Sequence, residues 1–178
     1  MMAAYAAAES GHAVTLLEQN EKLGKKLFIT GKGRCNLTNA SDMEQLFANV
    51  VSNRKFLYSA FYSYDNEQVI SFFESHGMPT KTERGNRVFP VSDHSSDVIA
   101  ALSAALREQH VEVFLHTKVK RLLLEKRDEE KRVTGVELAD HTKMHADAVI
   151  VATGGISYPS TGATGDGYRM AEESGHKM

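Results

Sequence analysis

Gly31-Lys32-Gly33-Arg34-Cys35-Asn36-Leu37-Thr38-Asn39 is the most informative stretch of this 178-residue sequence, and it lies in a polar, glycine-rich segment over 19–42. We predict a long loop there, and loops of that length inside a compact domain are usually functional. Gly31 and Gly33 allow backbone amides to approach a ligand closely, because glycine has no Cβ. The stretch is neither a dinucleotide fingerprint, which needs a third glycine, nor a P-loop, which needs Lys followed by Ser or Thr.

A second glycine-rich stretch lies near the other end of the chain. It reads Ala152-Thr153-Gly154-Gly155-Ile156-Ser157-Tyr158-Pro159. The apolar residues before it predict a buried strand over 147–153 that runs directly into the paired glycines. Farther on, Thr164-Gly165-Asp166-Gly167 predicts the start of a helix over 166–174, with Asp166 as its N-cap. A helix N-terminus attracts oxyanions, so this second stretch has the character of an anion-binding turn.

Outside the two stretches, helical and strand patterns alternate. An Ala-rich helix over 1–10 ends near Gly11 and leads into an apolar strand over 13–18, which ends in Glu18. Further helices are predicted over 43–50, 54–62, 66–76 and 96–108, the first two capped by Asp42 and Asn53. Further strands are predicted over 80–83, 87–89, 111–115, 119–125 and 133–138, with a hairpin turn at Gly85-Asn86 and a solvated hairpin tip over 126–132. This order of elements indicates the α/β class.

Composition sets limits on function. Apolar residues make up 42% of the chain and charged residues 25%, which is ordinary for one globular domain of this length. The net charge of -2 gives no general attraction to nucleic acid or to an anionic membrane, and no apolar run approaches the roughly 20 residues of a membrane span. Cys35 is the single cysteine, which excludes an intramolecular disulfide and fits a reducing, cytoplasmic location. No set of His, Asp and Glu has convincing ligand spacing, so no metal site is predicted.

Glu18 is the first candidate site residue on physical grounds. An acid at the carboxyl end of the second strand of a Rossmann unit accepts hydrogen bonds from ribose hydroxyls of a dinucleotide. The alternative is an ordinary, solvent-exposed strand end.

Three segments carry a resemblance to a known family: Leu16-Leu17-Glu18 after the Ala-rich helix, Gly33-Arg34-Cys35-Asn36, and Ala152–Pro159. On these motifs the sequence resembles the BaiN/RdsA-like family of FAD-dependent NAD(P)-type oxidoreductases, which are two-dinucleotide-binding-domain flavoproteins. The resemblance implies a Rossmann-like FAD-binding domain, three-layered around a mostly parallel sheet, with a small inserted antiparallel β-meander of three strands. Family chains begin with a strand and a G-x-G-x-x-G turn and continue well past position 178. We therefore expect residues 1–178 to be a partial FAD-binding domain, truncated at both ends and without the substrate domain, and to hold FAD weakly alone.

The resemblance also implies a set of FAD contacts. The loop around Arg34 would pass the diphosphate, the ribityl chain and the flavin ring, with Arg34 offsetting diphosphate charge. A thiol beside a basic residue is sometimes reactive, but without a second cysteine we expect Cys35 to be packed near the cofactor rather than catalytic. The cofactor-binding residues implied are Glu18, Lys26, Gly33, Arg34, Cys35, Asn36, Val119, Ala152, Thr153, Gly154, Gly155, Gly165 and Asp166. No catalytic residue is assigned.

The function expected from the resemblance is flavin-mediated hydride transfer between NAD(P)H and an organic substrate, such as reduction of a C=C bond. The substrate is either a small molecule or an RNA base, no membrane partner or metal is expected, and the oligomeric state is open. Two alternatives stand beside this interpretation. The chain is a truncated, non-catalytic remnant that binds little FAD, or it is an NAD(P)-binding module without flavin. In the second case Glu18 would disfavour NADP by repelling its 2′-phosphate.

Overall fold

The computed structural model describes residues 1–127 and 130–178. The α-helices are α1 (Met2–Glu9), α2 (Lys25–Ile29), α3 (Met43–Ala48), α4 (Tyr58–Ser63), α5 (Asn66–Ser75), α6 (Ser95–Glu108) and α7 (Asp166–Glu173). The strands are β1 (Thr15–Leu17), β2 (Thr38–Asn39), β3 (Thr80–Glu83), β4 (Arg87–Pro90), β5 (Glu112–Phe114), β6 (Val119–Arg127), β7 (Glu130–Leu138) and β8 (Lys143–His145). Short 3-10 helices occupy Thr30–Gly33, Arg54–Leu57 and Pro159–Thr161.

The chain divides into two compact units, and the division does not follow chain order. Unit 1 comprises Met1–Lys25 and His110–Met178, whereas unit 2 is the continuous segment Lys26–Gln109. Each unit has its own sheets and its own buried residues.

Unit 1 contains the parallel pairing of the fold. β1 pairs with β5 in parallel, from Thr15 opposite Glu112 to Leu17 opposite Phe114. The pairing continues past the strand, because the amide of Glu18 donates to the carbonyl of Phe114 at 2.9 Å. Glu18 therefore lies at the carboxyl end of a parallel strand, which is the edge where open α/β sheets bind ligands.

Unit 1 also contains the antiparallel meander, in the order β6-β7-β8. The register shifts between Leu123 and Leu124, where β7 carries an extra residue, and Gly135 beside this bulge has a φ of +147°. A Cβ at Gly135 would lie only 2.1 Å from the carbonyl oxygen of Met144 on β8. Glycine is therefore required there for β7 and β8 to pair. The antiparallel meander is confirmed, but its third strand is β8, which was not predicted, because the predicted strand over 111–115 pairs with β1 instead.

One buried acid stabilises the meander. The side chain of Glu137 on β7 is 5% exposed, and its two oxygens face Arg121 at 2.5 Å, Lys120 at 3.4 Å and His141 at 3.3 Å. The hydrogen bond from Arg121 is the main cause that lowers the pKa of Glu137 to about 2. Glu137 is thus ionised at any ordinary pH.

The strand predicted over 147–153 is wrong. Nothing in residues 1–127 or 130–178 forms a ladder with this segment, and the parallel sheet of the described residues contains only β1 and β5. Ile150, which the apolar pattern predicts to be buried, is 64% exposed. An apolar run specifies a buried strand only where a neighbouring strand and a covering layer are present.

Unit 2 is built on an antiparallel sheet of order β2-β4-β3 with helices α5 and α6. The hairpin turn predicted at Gly85-Asn86 is confirmed: the ladder of β3 and β4 ends at Glu83 opposite Arg87, and both turn residues have positive φ. α5 begins at a capping box between Asp65 and Gln68. The residues that fill the core of this unit are Phe72, Phe73, Val88, Phe89, Val98, Leu102, Ala105 and Leu106.

Three further local predictions need correction. The predicted loop over 19–42 contains α2, the first 3-10 helix and β2. Asp42 caps α3 as predicted, but Asn53 has a left-handed backbone and makes no side-chain cap, so 54–62 begins as a 3-10 helix and becomes α4. The predicted tip over 126–132 includes the ends of β6 and β7, while residues 128–129 lie outside the described residues.

The helices of this structure are short. α6, with 14 residues, is the longest, and among residues 1–127 and 130–178 no helix has both the length and the apolarity to cross a bilayer.

Candidate functional site

The carboxylate of Glu18 has a fixed position at the end of β1. Its Oε1 accepts a hydrogen bond from the backbone amide of Asn20 at 2.8 Å and another from the Asn20 side-chain Nδ2 at 2.7 Å. The Glu18 carbonyl accepts from the amide of Thr117 at 2.8 Å, which holds the backbone as well. The amino group of Met1, at the start of α1, interacts with this carboxylate. Burial lowers the pKa of that amino group, and the negative charge of Glu18 opposes the change.

Two amide side chains join the end of β1 to the second glycine-rich stretch. Gln19 Nε2 donates to the carbonyl of Gly162 at 2.8 Å, and Asn20 Nδ2 donates to the carbonyl of Thr161 at 3.1 Å. Gly162 has a φ of +96°, which glycine adopts without strain. The structure therefore brings Glu18 and the loop before α7 together, although they are far apart in sequence.

The glycines of this loop allow close packing against α7. The amide of Gly165 donates to the carbonyl of Gly155 at 3.2 Å, which closes the loop on itself. A Cβ at Gly167, in the first turn of α7, would lie 2.6 Å from Thr153 Oγ1, and one at Gly154 would lie 3.9 Å from the Cβ of Ala163. Glycine at 167 thus lets the first turn of α7 pack directly against the Thr153 side chain, where a Cβ would overlap.

Asp166 is not the N-cap that the sequence predicted. Gly165 occupies that position with a φ of +80°, and Asp166 is the first residue of α7. Its carboxylate accepts from Thr164 Oγ1 at 2.7 Å and from Arg169 at 3.1 Å, and the Thr164 hydroxyl chiefly holds the pKa of Asp166 below its usual value. Arg169 also donates to the carbonyl of Lys120 at 2.7 Å, which joins α7 to the residue after Val119.

In unit 2, the Gly31–Asn36 loop has an unusual backbone. Gly31, Lys32, Gly33 and Cys35 all have positive φ, between +55° and +86°. Two internal hydrogen bonds fold the loop tightly: the Arg34 amide donates to Gly31 and the Cys35 amide donates to Thr30. Left-handed conformations at Lys32 and Cys35 are unfavourable for side-chain-bearing residues, so surrounding contacts must hold this loop.

Those contacts come from Arg34. Its Nε donates to Asp93 at 2.8 Å, its Nη1 and Nη2 donate to Glu83 at 3.3 and 2.5 Å, and its guanidinium lies 4.1 Å above the ring of Phe89. Lys81 donates to the second oxygen of Asp93 at 2.7 Å. We call Arg34, Lys81, Glu83 and Asp93 the Arg34 cluster.

The Arg34 cluster is electrically balanced. Hydrogen bonding to Arg34 lowers the pKa of Glu83, hydrogen bonds from Lys81 and then Arg34 lower that of Asp93, and the two carboxylates raise the pKa of Arg34. Two cations thus face two anions. The predicted pairing of Arg34 with a diphosphate would require it to exchange at least one of these carboxylates.

The remaining predicted residues of unit 2 lie around this loop. Cys35 is 2% exposed and has no disulfide partner. Asn36 is exposed, and its side-chain amide, in the orientation that satisfies both acceptors, donates to the carbonyls of Thr38 at 3.1 Å and Val88 at 3.2 Å. Lys26 is exposed in α2. A thiol buried to this degree is shielded from reagents, which agrees with a packing role.

The predicted residues fall into two groups. The unit 1 group contains Glu18, Val119, Ala152, Thr153, Gly154, Gly155, Gly165 and Asp166. The unit 2 group contains Lys26, Gly33, Arg34, Cys35 and Asn36. Sequence reasoning missed Gln19, Asn20, Glu83 and Asp93, which hold these groups. Asn20 offered a weak signal, since Asn two residues after an acid readily forms a local turn.

Among the described residues, no cluster of three or more His, Cys, Asp or Glu side chains is arranged to bind a metal ion. His141 and His145 are four positions apart, which is the spacing of a metal-binding pair on a helix. His141, however, lies in the turn before β8, and His145 is the last residue of β8.

Comparisons with known proteins agree with this architecture. The model of the HI0933-like protein Rossmann domain family matches residues 1–178. The chain is 36% identical to a 3-dehydro-bile acid delta(4,6)-reductase of Clostridium scindens, over all of this chain and 42% of that protein. It is 29% identical to a ribosomal RNA dihydrouridine synthase of Haemophilus influenzae, over 94% of this chain and 41% of that protein. The chain therefore spans about two fifths of the length of these curated relatives.

A solved structure extends the likeness at the level of fold. The crystal structure of Thermovibrio ammonificans THI4 superposes with a TM-score of 0.61 at 15% identity, covering 99% of this chain and 58% of that one.

Proposed function

The chain belongs to the HI0933-like family of Rossmann-domain proteins, and from that premise we propose that it forms part of the FAD-binding domain of an oxidoreductase. One observation carries the proposal: the carboxyl end of a parallel strand places Glu18 beside a glycine-rich loop and a helix start. That combination suits the ribose and diphosphate of a dinucleotide, since the acid accepts from hydroxyls and the glycines admit the diphosphate.

The residues of unit 1 fit such a group. Within residues 1–127 and 130–178, both hydrogen bonds to the Glu18 carboxylate end on Oε1, so Oε2 remains as an acceptor. Gly154 and Gly165 have positive φ and no side chain over the loop. The α7 dipole adds partial positive charge at Gly165, where a phosphate or an electron-rich ring would be stabilised.

The cofactor, when bound, supplies hydride acceptance and donation, which no protein side chain provides. The chain's own residues bind and orient. Glu18 would accept from a ribose hydroxyl, Ala152–Gly155 would line the adenosine and diphosphate, and Asp166 would hold the start of α7. In unit 2 we propose that Arg34 fixes the Gly31–Asn36 loop through Glu83 and Asp93 rather than offering its guanidinium charge to a ligand.

For the reaction, we propose that NAD(P)H donates hydride and that an organic substrate with a C=C bond accepts it, in a cytoplasmic enzyme. The support is the pair of relatives, one called a reductase of a 3-dehydro-bile acid and the other a dihydrouridine synthase of ribosomal RNA. Both a small molecule and an RNA base remain substrates of this proposal. The net charge of -2 gives no added attraction for RNA over this part of the protein.

Titration of the purified chain with FAD, followed by flavin fluorescence, tests the proposal. We expect Glu18→Gln to weaken binding by about tenfold, because a hydrogen bond to a charged group contributes roughly 1.5–3 kcal/mol. Glu44→Gln is the matched control, since Glu44 is an exposed carboxylate in α3. Equal affinity of Glu18→Gln and wild type would remove Glu18 from the cofactor site.

The same titration separates the alternatives. Binding of NAD(P) without FAD would support a dinucleotide-binding module that lacks flavin. Binding of neither would support a non-catalytic remnant.

A further inference from the structure

We propose that Asn20 is a positioning residue for the cofactor ribose: it fixes the Glu18 carboxylate so that Oε2 faces the ligand, and it ties that carboxylate to the loop before α7. The inference rests on the proposed function, because it assumes that Glu18 binds a ribose hydroxyl. It adds a residue to which the family motifs of the sequence assign no role.

The hydrogen bonds of Asn20 carry the argument. Its amide nitrogen Nδ2 has two hydrogens, and both are used: one on Glu18 Oε1 at 2.7 Å and one on the Thr161 carbonyl at 3.1 Å. Its Oδ1 faces Lys25 Nζ at 3.5 Å, and its carbonyl accepts from His116 at 3.0 Å. Side chain and backbone are therefore both held, and the amide has one orientation.

The two oxygens of the Glu18 carboxylate have different roles in this arrangement. Oε1 receives two donors from Asn20, one from the backbone and one from the side chain. Rotation of the carboxylate about its last bond would break both hydrogen bonds, so Oε2 stays in place. A preorganised acceptor binds a hydroxyl more tightly than a mobile one, because less rotational freedom is lost on binding.

The residue type matters. Aspartate at position 20 would place a carboxylate oxygen where Nδ2 now donates, against the charge of Glu18. Alanine would keep the backbone donor but release both Oε1 and Thr161 from the side chain. Gln19 provides the natural comparison, because it ties the same loop through Gly162 but makes no hydrogen bond to Glu18 among the described residues.

The test compares two nucleotides, adenosine diphosphate and its 2′,3′-dideoxy analogue, which lacks the ribose hydroxyls. Nuclear magnetic resonance titration of the labelled chain measures both affinities even where binding is weak, and it reads binding rather than activity. We expect wild type to prefer adenosine diphosphate by about tenfold, the value of one charge-assisted hydrogen bond. Asn20→Ala should reduce that preference to about twofold, whereas Gln19→Ala should retain it.

A double variant completes the design. Glu18→Gln should abolish the preference, and adding Asn20→Ala to it should cause no further loss, because both act on one interaction. If Asn20→Ala does not fold, as judged by its melting curve, Asn20→Asp replaces it with the same shape and should lose the preference at least as completely.

The outcomes are distinct. A folded Asn20 variant that keeps the wild-type preference overturns the inference and leaves the proposed function intact. Retention of the preference in Glu18→Gln refutes the ribose role of Glu18 and the inference with it. Failure of wild type to bind either nucleotide or FAD overturns the proposed function itself.

Discussion

The two glycine-rich loops of this chain share a composition but differ in how they are stabilised. The loop before α7 is held by amide side chains and backbone hydrogen bonds, which leave the Glu18 carboxylate one unpaired oxygen among the described residues. The Gly31–Asn36 loop is held by the Arg34 cluster, in which every charge has a partner. The charge of Arg34 is therefore already paired within the fold, whereas the Glu18 carboxylate retains an oxygen that is able to accept a further hydrogen bond.

The largest effect is expected from Gly135→Ala in the meander of unit 1. This variant tests whether the two units, each of which carries one of the loops, unfold independently. A Cβ there would meet the Met144 carbonyl at 2.1 Å, and overlap with backbone cannot be relieved by a rotamer change. We expect a loss of more than about 3 kcal/mol of stability in unit 1. Hydrogen exchange should show lost protection in β6–β8, while β3 and β4 of unit 2 stay protected. Equal loss in both units would mean that they unfold together.

Arg34→Met should destabilise the Gly31–Asn36 loop and leave the loop before α7 unchanged. Glu83 and Asp93 would then repel each other with only Lys81 between them, and the left-handed backbone at Cys35 would lose its support. We expect the melting temperature to fall by about 5 °C and the Cys35 thiol to react at least about tenfold faster with a thiol reagent.

Arg87→Met is the control for this variant, because Arg87 lies near the same Phe89 ring at 5.7 Å but has no carboxylate partner in the part of the chain described. Unchanged thiol reactivity in Arg34→Met would show that the Arg34 cluster does not hold the loop.

Acid should weaken both units over the same pH range. The pKa values of Glu83 and Asp93 are lowered in the folded protein, so their stabilisation is complete above the unfolded values near 4 and is lost as pH falls below them. Glu137 in unit 1 has a folded pKa of about 2, so its stabilisation also begins to fall below an unfolded value near 4 and is lost as pH approaches 2.

Melting curves between pH 6 and pH 2 should therefore show a decline of a few degrees that begins below about pH 4. In Asp93→Asn that decline should be smaller. A Glu137 carboxyl resonance that titrates at the ordinary value near 4 would contradict this prediction.

The smallest effect is expected from Cys35→Ser. The buried thiol becomes a hydroxyl without an assigned partner, which costs about 1–2 kcal/mol of stability. Reduction of bound FAD by NAD(P)H should stay within about twofold of wild type, because a lone cysteine supports no dithiol chemistry. Stopped-flow absorbance of the FAD-loaded protein measures this rate, and a slowing by orders of magnitude would make Cys35 a participant in the reaction.

Local sequence signals predicted local structure well. Asp42 caps α3 and Gly85-Asn86 turns the hairpin, because each depends on residues a few positions apart. The interpretation failed where structure depends on distant partners. The apolar run over 147–153 has no ladder partner among residues 1–127 and 130–178.

The candidate site shows the same limit. Its glycines and Glu18 were visible as motifs, but the partners of Arg34 lie 49 and 59 positions away, and no local pattern links Arg34 to Glu83 or Asp93. Asn20 was missed for a related reason, since its contact with Thr161 spans 141 positions.

The division of unit 1 into two chain segments has a consequence for biosynthesis. β1 leaves the ribosome early, but its partner β5 follows only after the whole of unit 2 has been made. Unit 2 is continuous, and its hairpin and helices form between neighbours in sequence. It is therefore able to fold on the nascent chain before β5, the partner of β1, has been synthesised. The strand that leads into Glu18 therefore pairs with β5 only after unit 2 has been synthesised.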